Sequence, residues 1–139
     1  GGVAALSAAG GIAALLPLLQ SRPTELQAAI ARAVGNLAHD AIDVASFQPA
    51  LPALIALAGR APCAVDATYA LANLYSLARE LFTPSLLSQL VPQLLALLES
   101  AEPDAQLGAT SLLRALALHA SGRRALNAAG ATPKVRAAL

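Results

Sequence analysis

The chain has 139 residues, a formal net charge of +1, a hydrophobic share of 57% and an aromatic share of 3%. Its basic residues are scattered apart from Arg123 and Arg124, so there is no electrostatic case for nucleic acid or an anionic membrane surface. The single cysteine, Cys63, excludes an internal disulfide framework and a cysteine-rich zinc site, and favours a reducing, intracellular compartment.

A chain this apolar with so few rings must build its core from Ala, Leu, Val and Ile, which suits closely spaced helices better than a sheet sandwich. Two uncharged runs, 1–21 and 81–98, approach the length that spans a bilayer. The first is broken by two Gly-Gly pairs and Pro17. The second is broken by Thr83, Pro84, Ser85, Ser88, Gln89, Pro92 and Gln93. Neither is expected to cross a membrane. No basic segment precedes the first run, so it does not read as a signal peptide. The absence of methionine suggests a piece of a longer chain.

The first predicted element is a short helix ending near "AAG", followed by a second helix, "IAALLPLLQ", from Ile12. Pro17 falls in the middle of that second helix and predicts a kink or an early end. After the link "RPTELQ", Thr24 followed by Gln27 resembles a capping box and starts a third, longer helix. In "LQAAIARAVGNLA", Leu26, Ile30, Val34 and Leu37 share one face. Arg32, Asn36 and His39 fall away from it, and Gly35 reads as a point of close helix approach.

The same order then recurs. A second helix reads "LPALIALAGR", a Pro-containing link reads "APCAVD", and a long third helix contains "TYALANLYSLA", with Asn73 in the frame of Asn36. Next come "VPQLLALLES", the link "EPDAQL" with Pro103 placed for a first helical turn, and "LGATSLLRALAL". "ALSAAGGIAALLPLL" at the start aligns with "ALNAAGATPKVRAAL" at the end. The four second helices begin at Ile12, Leu51, Val91 and Thr132, in steps of 39, 40 and 41. Pro52, Pro92 and Pro133 take the second place in three of them, which predicts that each unit restarts a short helix there. Such a unit cannot bury its apolar face alone and must stack on its neighbours.

These residues resemble the armadillo repeat family, the three-helix solenoid of β-catenin and importin-α. The carriers are "AAGGIAALLPLL" with "LQAAIARAVGNLA", "LPALIALA" with "ATYALANLYSLA", and "VPQLLALL" with "LGATSLLRALAL". HEAT repeats are the confusable relative. The resemblance implies an all-α fold, a right-handed α-solenoid. It divides the chain into repeats at about 1–40, 41–80 and 81–120 and a partial one at 121–139. It also implies that the long third helices line a concave groove, where Asn36 and Asn73 would hold the main chain of an extended peptide. The position four residues before the Asn, often Trp in the peptide-binding importins, is here Arg32, Tyr69 and Ser111, and the third Asn position is Ala115. The alternative is that Asn36 and Asn73 tie down loops within the array.

Other constellations read as structural. His39 and His119 sit near the ends of long helices, where an imidazole meets the last carbonyls. Cys63 reads as a small buried residue. No triad spacing and no phosphate loop after a strand is visible. "GRR" at 122–124 reads as the polar opening of a short first helix.

The function expected is a non-catalytic scaffold that binds a partner protein or extended peptide through Arg32, Asn36, His39, Asp66, Tyr69, Asn73 and Ser76. No cofactor, metal, nucleic acid or membrane span is expected. Such a surface should fade toward Gly108, Ser111, Ala115 and Leu118. The alternatives are a subunit built permanently into a large assembly, for example an axonemal one, and a substrate-binding arm of a ubiquitin ligase. The compartment expected is the cytoplasm or a cytoskeletal or ciliary structure.

Overall fold

The computed structural model describes residues 24–39 and 44–130, and among these every regular element is helical. Helix α1 is Thr24–His39. A 3-10 turn, Val44–Ala50, runs into α2, Leu51–Ala58. A second turn, Ala61–Cys63, precedes α3, Ala64–Leu77. A third, Arg79–Leu81, precedes α4, Pro84–Leu97. Helix α5, Pro103–Ala117, and helix α6, Ala120–Ala128, complete the order.

The helices form two rows. The long helices α1, α3 and α5 pack side by side, and α2, α4 and α6 pack in a second row behind them. Within each unit the rows meet where α2 touches α3 and α4 touches α5. Each pair buries its apolar face on the pair before it, which is how an α-solenoid is stabilised. The fold is all-α, as the recurrence of the sequence predicts.

Small side chains set the spacing. Ala31, Ala64, Ala67, Ala70, Ala105 and Ala109 are all buried and let helix axes approach closely. Leucines fill the space between, with Leu51, Leu54, Leu71, Leu74, Leu87, Leu90, Leu94, Leu112, Leu113 and Leu116 fully buried. On α5 the buried set Ala105, Ala109, Leu112, Leu113 and Leu116 follows helical spacing and marks one stripe.

Three starts follow proline chemistry, that of α4 with Pro84 at its head. Pro52 lies in the first turn of α2 and Pro103 in the first turn of α5, where a missing N–H costs nothing. Pro92 corrects the expectation of a restart at each unit. It lies inside α4, which runs unbroken from Pro84 to Leu97. The Thr83 hydroxyl accepts from the Leu86 N–H at 3.2 Å, so the helix begins earlier, at a capped proline. The Pro92 ring lies on the exposed face, and proline has no N–H to offer the carbonyl four residues before it. Pro17, Pro133, the Thr24 side chain and the segment "TPKVRAAL" lie outside the described residues. Among the described residues no helix is long and apolar enough to cross a membrane.

Candidate interaction surface

The long helices expose a continuous face of named side chains. On α1, Arg32 and Asn36 are exposed. The Arg32 guanidinium meets Asp66 on α3, with Nε donating to Oδ1 at 3.1 Å and Nη2 donating to Oδ2 at 3.4 Å. The hydrogen bond and the charge of Asp66 both hold the Arg32 proton more firmly than usual. The pair is asymmetric: the Arg32 side chain is 65% exposed and that of Asp66 17%. The cation faces outward and the carboxylate is tucked against the helices.

One turn further along, α1 and α3 meet at Gly35. A Cβ there would come within 3.0 Å of the Tyr69 ring and 3.2 Å of the Ala70 Cα. Glycine at 35 therefore answers to the close approach that its place in the sequence predicts. It supports the Tyr69 ring from beneath, while Tyr69 itself stays 41% exposed. Asn73 points back across the same junction and donates its side-chain N–H to the Gly35 carbonyl at 3.2 Å. The two asparagines thus differ in surroundings: Asn36 is exposed, and Asn73 is half-buried and spends a donor inside the array.

Between α3 and α5 lies an open dent of about 330 Å³, lined by residues that include Val65, Tyr69, Ala72, Asp104, Leu107 and Ser111. Val65 and Leu107 are large hydrophobics left exposed, Leu107 at 65%. Sequence reasoning missed Val65 and Leu107, because apolar residues at helical spacing are assigned to a core by default, and Asp104, because an acidic residue in a first helical turn reads as serving the helix end. Their signal was positional: Val65 lies one turn before Tyr69, and Leu107 one turn before Ser111. The dent also changes the picture at the third unit, since Tyr69, whose ring lies against Gly35 of α1, shares it with Leu107 and Ser111. Ser76 and Leu118 are exposed at the far ends of α3 and α5. His39 ends α1, and its side chain lies outside the described residues.

A second polar cluster closes the other end of the row. The His119 Nδ1 lies 3.1 Å from the Ala115 carbonyl and 3.2 Å from the Tyr75 hydroxyl, and Nε2 lies 2.6 Å from Arg79 Nη1. A guanidinium only donates, so Nε2 accepts and Nδ1 carries the hydrogen. Tyr75 is buried and meets Phe82 edge to face at 5.2 Å. Burial pushes its hydroxyl pKa up, partly offset by Arg79. His119 thus serves the last carbonyls of α5, the structural role expected of it. Cys63 is buried, and burial pushes its thiol pKa up, away from a reactive thiolate. Among the described residues no cluster of His, Cys, Asp and Glu could hold a metal ion.

Residues 1–39, which include α1, match the family model of the Armadillo/beta-catenin-like repeat. Over that stretch the chain is similar to an armadillo repeat. The all-helical array that follows α1 has the stacking expected of an armadillo solenoid. No curated protein and no solved structure matches the chain. Armadillo repeats are generally protein-interaction modules and typically non-catalytic scaffolds.

Proposed function

We propose that this armadillo array is a non-catalytic scaffold that holds an extended segment of a partner protein across α1, α3 and α5. The observation that carries this reading is the open dent beside Tyr69, where Val65, Ala72 and Leu107 leave apolar surface next to an exposed ring. An aromatic ring brings contact area at low entropy cost and supplies a hydroxyl at its edge. Arg32, Asn36, His39, Asp66, Tyr69, Asn73 and Ser76 form the proposed binding face. Within it Asn73 acts chiefly by holding α3 to α1, because its amide donates to Gly35.

The test is selection of random twelve-residue peptides displayed on phage against the protein, followed by anisotropy titrations of the selected peptides. Tyr69→Ala is expected to cost about 1–3 kcal/mol of binding, and Ser111→Ala less than about 0.5 kcal/mol. Peptides that bind Tyr69→Ala as tightly as the parent would overturn this reading.

A built-in subunit of a large assembly is the second reading. It is favoured by Leu107 and Leu118, exposed at 65% and 71%, on a chain with few surface charges. Self-association or insolubility that Leu107→Ser and Leu118→Ser relieve would support it over a free scaffold.

A further inference from the structure

Charge is not spread evenly across the proposed binding face. At the α1 side the outward group is the Arg32 guanidinium, with two of its five N–H donors committed to Asp66 and the rest turned to solvent. In the middle, between α3 and α5, the surface is the apolar dent of Val65, Tyr69, Ala72 and Leu107. At the α5 edge the dent is bounded by Asp104, an exposed carboxylate in the first turn of that helix. The other charged group exposed on α5 is Arg114, ten residues on and therefore ~15 Å further along the axis. A segment crossing the row at the level of Arg32 and Asp104 meets cation, apolar floor and carboxylate, in that order.

We infer that the partner segment carries the complementary order: an acidic residue, then an apolar anchor, then a basic residue. This rests on the proposed function above and adds the chemistry of the ligand. The spacing follows from helix packing. Neighbouring helix axes lie ~9 Å apart, and the Arg32 guanidinium, bonded to Asp66 of α3, lies over the α1–α3 junction, so the dent sits roughly 9 Å from it. An extended chain covers that in about three residues at ~3.3 Å each. The α5 edge lies about half an interaxial distance beyond, one or two residues more. The recognised segment is therefore acidic-x-x-apolar-x-basic, in one chain direction or the other. The apolar side chain seats between Tyr69 and Leu107. A carboxylate faces the open edge of Arg32, and an ammonium or guanidinium faces Asp104. Exchanging the two charges would set like charges against each other at both ends.

The experiment uses the peptides selected by display on the parent protein, sorted by whether they lose binding to Tyr69→Ala. The Tyr69-dependent set is expected to show the acidic–apolar–basic order. A labelled consensus peptide should bind at least about tenfold more tightly than its charge-exchanged counterpart, since like-charge juxtaposition at two places opposes the exchange. Selection on Asp104→Lys should replace the basic residue with an acidic one, and selection on Arg32→Glu should replace the acidic residue with a basic one. Circular dichroism of both variants reports whether the fold is retained, and both positions are exposed. Tyr69-dependent peptides with no charge order, or an order unchanged by Asp104→Lys, overturn this inference and leave the proposed function standing. No Tyr69-dependent peptide at all overturns both.

Discussion

Asn73 donates its side-chain N–H to the backbone carbonyl of Gly35, 3.2 Å away on the neighbouring long helix. The bond joins two helices across a junction that glycine has already brought close. An amide that repeats in the sequence is thus, at its second occurrence, part of what holds the array together.

Removing it should therefore be felt as stability. Asn73→Ala is expected to cost about 0.5–1.5 kcal/mol, the net value of one part-buried hydrogen bond. Asn36→Ala, at an exposed position, should change stability by less than about 0.5 kcal/mol. Urea unfolding midpoints of the two variants make the comparison. Equal losses would mean that both amides hold the array in the same way.

Gly122 is a sharper test of packing. It is buried on α6, and a Cβ there would overlap the Leu116 carbonyl oxygen at the end of α5. Helix propensity alone would make Gly122→Ala stabilising by about 1 kcal/mol. The overlap involves backbone and cannot be relieved by turning a side chain, so a net loss of about 1–3 kcal/mol is expected. Thermal melts read the sign directly.

The cluster around His119 predicts an asymmetry. Tyr75→Phe removes a hydroxyl but keeps the ring against Phe82, and should cost about 0.5–1.5 kcal/mol. His119→Ala leaves the part-buried Tyr75 hydroxyl without its imidazole partner and opens space beside the ring. That variant should cost more, about 2–3 kcal/mol. A double-mutant cycle on the pair would show coupling if the contact is as close as 3.2 Å suggests.

Stability should fall on the alkaline side. Burial raises the Cys63 thiol and the Tyr75 hydroxyl above their ordinary values of about 8.5 and about 10. The folded chain then keeps protons that the unfolded chain releases. The stabilising contribution is full below the unfolded values and is lost as pH rises through the folded ones. Melting temperatures from pH ~8 upward should decline, and Cys63→Ala with Tyr75→Phe should flatten the decline. A slope unchanged in the double variant would assign the effect to other groups.

The sequence by itself determined the helical class, the recurrence and the place of the close contact at Gly35. Those features are local: apolar spacing along one helix, a proline in a first turn, a glycine where a side chain cannot fit. The stacking of unit on unit followed as well, because a unit with one apolar face can be stabilised only in that way. The tertiary structure decided what local patterns cannot encode. Pro92 lies inside α4 because a capped start at Thr83 and an exposed ring outweigh one lost helical hydrogen bond. Leu107 and Val65 face the dent and not the core because their positions on α5 and α3 depend on how the two helices are set against each other. Asn73 and Asn36 read alike in the sequence, yet one bonds across a junction and the other faces solvent. Spacing along a chain assigns a side chain to a face of its own helix. Only the neighbouring helix decides whether that face is covered, bonded or left open.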